Sequence, residues 1–158
     1  MSIEGLKSNK FIKRIMLLFT QGLSAKALAL SLSMGIFIGV IPIWGVTNFI
    51  LPIIAIRFRL NIAIMGAVTY LAIPLQLFLW KDFIRLGEYV IGTEHTLLSV
   101  DAIREAFQKS FFQALHDLWM EVLCGLSGWI ILGSPVTLLL FALFWILFRL
   151  VIKEKKYS

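Results

Sequence analysis

ALALSLSMGIFIGVIPIWGVTNFILPIIAI, residues 27–56, carries no charged side chain and lies between Lys26 and Arg57. A straight helix of about 30 residues is about 45 Å long, whereas a bilayer's hydrocarbon core is about 30 Å thick. The stretch is therefore too long for one upright crossing. Its middle, GIFIGVIPIWG, holds Pro42 and Gly45, both turn-formers. A break there leaves arms of about 14 residues, each about 20 Å long. We read residues 27–56 as a helical hairpin that enters a membrane and returns; one long kinked span is the alternative. Irregular backbone at membrane depth is tolerated only when buried in protein or lining a wet cavity. Gly35 and Gly39 form a GxxxG pair, which lets another helix approach closely.

Two more charge-free runs follow. Residues 60–80 suit one transmembrane helix with a kink at Pro74. Residues 122–148 read as a transmembrane helix or, because of Gly133-Ser134-Pro135, as a second hairpin. That interruption also faintly echoes the Gly35–Pro42 pattern, as an internal repeat would. The composition agrees with a membrane chain. Of 158 residues, 59% are hydrophobic and only 15% charged, against about a quarter charged in soluble domains. A disordered chain needs low hydrophobicity, and a disulfide scaffold needs more than the single Cys124.

The net charge of +6 is unevenly spread. Lys7, Lys10, Lys13, Arg14 and Lys26 make residues 1–26 basic, and Ile12, Ile15, Met16 and Phe19 give that segment an apolar face. Arg57 and Arg59 stand between the first two runs, and residues 149–158 form a basic tail. Residues 82–121 are acidic, and an amphipathic helix is expected over 101–121 with Ser99 or Asp101 as its N-cap. Lys and Arg mark the cytoplasmic side of a membrane. With a hairpin at 27–56, the N-terminus, Arg57/Arg59 and the tail all lie inside. Trp44, Trp80 and Trp119 suit the interfaces. No cleavable signal pattern precedes the first run. The expected fold is all-α. It is one polytopic membrane domain over 1–158, with a re-entrant hairpin, one or two full spans and amphipathic interfacial helices.

The string GIFIGVIPIWG, the Arg59-Leu60-Asn61 triplet, Pro74-Leu75-Gln76 and the stretch FIRLGE (residues 83–88) resemble the family catalogued as domain of unknown function 2062. The resemblance runs from about Leu23 to Val151. The chain departs from the family pattern at Thr47-Asn48, where Gln-Thr is usual, and at Leu71-Ala72, where many members have Asn-Pro. The resemblance implies a prokaryotic membrane protein, sometimes fused to or encoded near glycosyltransferases. It implies no established activity.

No soluble-enzyme motif is present: no phosphate-binding glycine loop, GxSxG, HExxH or CxxC. We expect no catalytic residue, no cofactor and no metal. His116, Asp117 and Glu121 share a helix face, but such charges ordinarily form a solvated surface. The membrane topology already accounts for the basic charge, so no nucleic-acid partner is expected. The candidate functional groups are polar residues at the breaks. Thr47 and Asn48 follow the Pro42/Gly45 break, Gln76 flanks Pro74, and Arg57, Arg59 and Asn61 close the hairpin. Together they are candidates for a lipid headgroup, since arginine forks match phosphate. Their bland role is to fix topology and glue helices. Gly35, Gly39, Pro42, Gly45 and Pro74 shape the break and the packing. The expected function is a small lipid-handling transporter for an anionic lipid such as a polyprenyl phosphate. It would act as a homo-oligomer in the prokaryotic inner membrane. The alternative is a non-catalytic scaffold or partner of a glycosyltransferase.

Overall fold

The computed structural model describes residues 24–43, 45–93 and 100–155. Residues 1–23 of the basic N-terminal segment, Trp44, residues 94–99 with His95 and Ser99, and the last three residues of the tail lie outside the described residues. All regular structure among the described residues is helical. It comprises α1 (Ala25–Gly39), α2 (Val46–Phe58), α3 (Ile62–Leu71), α4 (Ile73–Ile91), α5 (Val100–Lys109) and α6 (Phe111–Lys155).

The first run folds as helix, break, helix. Ser24 opens α1, its hydroxyl accepting the Ala27 N–H at 3.2 Å. α1 tightens as it ends: Ile41 N–H donates to Ile38 rather than to Phe37. The Phe37 carbonyl is taken instead by the Trp129 indole N–H at 3.0 Å. The Phe37 and Trp129 rings also stack, with centroids 4.3 Å apart. Gln76 donates to the Ile41 carbonyl, and Thr69 Oγ1 donates to the Gly35 carbonyl at 2.9 Å. The chain then turns at Gly45, φ 82°, a left-handed conformation that glycine adopts without strain.

The GxxxG pair is used inside the chain. A Cβ on Gly35 would lie 3.0 Å from the Met65 carbonyl oxygen, and one on Gly39 would lie 2.8 Å from the Ala72 Cβ. These contacts, with Ser31 against Asn61, align α1 and α3 in the same direction. α6 runs the other way along α1: Gly125 meets Pro42, and Gly133 meets Phe37. α4 lies antiparallel on α6, where a side chain on Gly87 or Gly128 would land on the facing backbone of Cys124 or Phe83. Ile38, Ile41, Ala55 and Met65 form one buried cluster; Val40, Ala72 and Phe83 form a second.

Two expectations are corrected, and one open alternative is decided. Residues 60–80 are not one helix but α3 and α4, bent by 66° at Ala72. Pro74 near the start of α4 has no N–H to continue the ladder, and α4 then runs past Trp80 to Gly92. Of the two readings of residues 122–148, the single continuous helix is the one observed; no hairpin or break occurs there, and the echo of the first run does not extend to structure. α6 passes straight through Pro135, with the Thr137 hydroxyl donating to the Gly133 carbonyl at 2.7 Å. The 82–121 segment is divided among α4, α5 and α6. Ser110 interrupts it by capping α6, its hydroxyl accepting the Gln113 N–H at 3.4 Å, and Asp101 lies within α5 rather than at its cap. Among the described residues, α6 is long and apolar enough to cross a membrane over Phe111–Leu150. α3 and α4 pass the same measure only as one bent span.

Replacing Trp129 by Phe keeps a ring over Phe37 but removes the donor. Loss of about 1–3 kcal/mol is expected, seen as an earlier midpoint when the protein is unfolded in mild detergent and followed by circular dichroism. Gly128→Leu should shift the midpoint further, because its Cβ has no space at the Phe83 carbonyl. A wild-type midpoint in both variants would overturn this account of the packing.

Candidate functional site

The structure separates the sequence candidates into three groups. Gln76 and Asn61 serve the backbone. Gln76 is buried against the Ile41 carbonyl. Asn61 caps α3, its Oδ1 accepting the Ile64 N–H at 3.0 Å, while its own N–H donates to Ser31 Oγ at 3.0 Å. Ser31 in turn donates to the Ala27 carbonyl at 2.8 Å. Both side chains are thus engaged with backbone, Gln76 through its Nε2 and Asn61 through its Oδ1.

Thr47 and Asn48 form the second group, in the first turn of α2. Gly45 cannot cap that turn with a side chain, and Asn48 N–H donates to the Gly45 carbonyl at 3.2 Å. Asn48 is exposed and Thr47 half-buried. Arg57 and Arg59 form the third group at the other end of α2. Nine residues of helix separate Asn48 from Arg57, about 14 Å. The six candidates thus do not converge on one point.

Arg57 and Arg59 are both exposed. Arg57 places its guanidinium carbon 5.9 Å from the Phe58 ring centroid. Arg59 holds φ 53°, a left-handed conformation that glycine usually supplies at a helix end. It closes a Schellman turn: Leu60 N–H donates to the Ala55 carbonyl at 2.8 Å and Arg59 N–H to the Ile56 carbonyl at 3.3 Å. No acidic residue occurs in α1, α2 or α3.

Sequence reasoning missed the contents of the α4–α6 seam. Glu88 and Glu121 are buried there, not on a solvated face. With Thr93, His116, Asp117, Met120 and Cys124 they line a cavity of about 250 Å³. Thr93 Oγ1 lies 3.6 Å from Cys124 Sγ, and His116 Nδ1 lies 3.4 Å from Asp117 Oδ1. Among the described residues no three His, Cys, Asp or Glu side chains gather as metal ligands. The signal for burial was Glu88 following Gly87, since a close helix crossing at a glycine shuts water away from its neighbour. A second, larger cavity of about 580 Å³ is walled by Phe112, Leu115, His116, Leu118, Trp119 and Val122. On α5, Lys109 hydrogen-bonds Glu105 at 2.7 Å and holds its carboxyl below the ordinary value. That pair is exposed and so contributes little; what it contributes is fully present at neutral pH and is lost as the pH falls through the lowered value.

With this geometry in place, the family assignment follows from the match itself. A model of the family described as "Uncharacterized protein conserved in bacteria (DUF2062)" matches residues 9–156. The chain belongs to the DUF2062 family. No curated protein and no solved structure matches it. The DUF2062 match spans α1 to α6, so the hairpin, the α3–α4 bend and α6 belong to the family's domain. It assigns no role to any side chain.

Arg59→Gly should raise stability by about 1 kcal/mol, because glycine relieves the left-handed strain. Arg59→Val should lower it. The two melting midpoints in mild detergent, measured against the parent, check the sign; a destabilised glycine variant would show that the arginine side chain holds the turn.

Proposed function

We propose that this chain is a multi-pass protein of the bacterial cytoplasmic membrane that handles an anionic lipid, such as a polyprenyl phosphate, at the basic end of α2. The observation that carries the membrane reading is the most apolar 18-residue window of α6, none of which is buried within the molecule. A soluble protein buries such a helix, because exposed apolar area of that extent drives association. In hydrocarbon the same surface is at no disadvantage.

The direction of the helices supports an orientation. α1 and α3 run one way, while α2 and α6 return. Lys26 and Arg149 therefore stand toward one end, and Glu88, Asp117 and Glu121 lie past the level of Pro42 toward the other. Basic residues face the cytoplasm, so the start of α1 and the end of α6 are cytoplasmic in this reading. The hairpin of α1 and α2 is then re-entrant, with its turn close to the far face. Arg57 and Arg59 return only to the level of Ser31, about 7.5 Å deeper than Lys26 on α1. Ionisable residues at such depth mark functional sites, and two guanidiniums without an acid on their own helices suit a phosphate.

A second reading is a non-catalytic partner of a glycosyltransferase. Its expected docking face, Gly35 and Gly39, is already filled by α3, which favours the lipid reading. We expect a homo-oligomer, since this few helices do not enclose a pathway.

Native mass spectrometry of the protein extracted with its own lipids tests the proposal. The parent should retain one class of anionic lipid, and Arg57→Ala plus Arg59→Ala should lose it with assembly intact. A lipid-indifferent monomer, or a stable complex with another protein, would overturn the reading.

A further inference from the structure

α2 differs from the other membrane-embedded helices. Ala55 is its only buried residue. Phe49, Ile53 and Ile56, at i, i+4 and i+7, form one outward ridge and are 75%, 66% and 77% exposed. The ridge ends at Arg57 and Arg59. Its other end is the Thr47-Asn48 turn, where Pro52 supplies no N–H for the Asn48 carbonyl. Both flanking residues, Gly45 and Arg59, hold left-handed conformations, so α2 is set off from the packed helices at each end.

An apolar strip about 12 Å long from Phe49 to Arg57, closed by two cations with no acid on α1, α2 or α3, has the charge pattern of one lipid molecule in reverse. We infer that the outer ridge of α2 seats a single anionic lipid, with its phosphate on Arg57 and Arg59 and one hydrocarbon chain along Ile56, Ile53 and Phe49. This rests on the lipid reading above and adds to it where the chain lies. The Arg59 strain fits the same assignment: glycine would make the turn more comfortably but would remove one of the two cations.

The test uses the full chain in phosphatidylcholine vesicles containing phosphatidylglycerol. Ile53→Cys is labelled with a bimane fluorophore; Cys124 is buried and stays unlabelled. Bromine is placed on the chains of either lipid, at equal mole fraction. Brominated phosphatidylglycerol should quench the label more than brominated phosphatidylcholine, with a preference of about fivefold or more. Arg57→Ala plus Arg59→Ala should abolish the preference. Leu139→Cys, on the exposed face of α6, should be quenched equally by both lipids. Ile56→Cys serves if the first label disturbs the hairpin. Equal quenching at position 53, or a disulfide between two unlabelled Ile53→Cys chains under mild oxidation, overturns the ridge assignment. If anionic lipid is nevertheless retained in the mass spectrum and lost with the arginines, the headgroup reading stands and only the chain's location falls. If neither assay shows anionic preference, both fall.

Discussion

The hydrogen bond from the Trp129 indole to the Phe37 carbonyl is the contact on which the hairpin depends. α1 must stop before Pro42, and stopping leaves carbonyls without intrahelical donors. In water those groups would be solvated. Inside a membrane each needs a donor from the protein. Trp129 on α6 supplies one at Phe37 and Gln76 on α4 another at Ile41, while Thr69 on α3 adds a further bond to the Gly35 carbonyl one turn earlier. Three different helices thus converge on the end of one. The break forms because its carbonyls are met, and α3, α4 and α6 are positioned by meeting them.

Such bonds require close backbones, and small residues provide them. Gly35 and Gly39 bring α3 onto α1; Gly87 and Gly128 bring α4 onto α6. Between apolar helices in lipid there is no hydrophobic gain from association, so dispersion and hydrogen bonds carry it. The bend at Ala72 belongs to the same arrangement. α3 follows α1 as far as Gly39; α4 then leaves at 66° and lies across α6. A straight helix over residues 60–80 could not have met both Gly39 and Gly128.

The hairpin break was legible because proline and glycine act locally. Pro42 and Gly45 stand three residues apart, the one lacking an N–H and the other free to take a left-handed turn, and α1 and α2 divide there. The Gly133-Ser134-Pro135 sequence looked equivalent and was not. One missing N–H, which leaves the Ile131 carbonyl without its i+4 donor, is absorbed when the helix has no reason to turn. Pro74 gave a sharper bend than a kink because it falls at a helix start, where Ala72 has already closed α3 on the Val68 and Thr69 carbonyls. The side-chain roles were less legible. Asn61 and Gln76 are polar residues in apolar surroundings, and sequence alone does not distinguish a ligand contact from a helix cap, as at Asn61, or from a carbonyl contact 35 residues away, as at Gln76. Glu88 and Glu121 were hidden by charge: a carboxylate reads as solvated until a glycine crossing buries it.

The residues without such a structural role are concentrated on α2. The other helices of the hairpin region spend their polar side chains on one another's backbone: Ser31 on Asn61, Thr69 on Gly35, Gln76 on Ile41, Trp129 on Phe37. α2 spends none in that way. It buries Ala55 alone, it begins without a side-chain cap, and it ends on an arginine in a conformation that glycine would hold with less strain. Residues retained against local preference are where function and stability diverge. Arg59 is such a residue, and the stability expected on its replacement by glycine has the opposite sign to the lipid retention expected of the same change. A purely structural arginine would move both together.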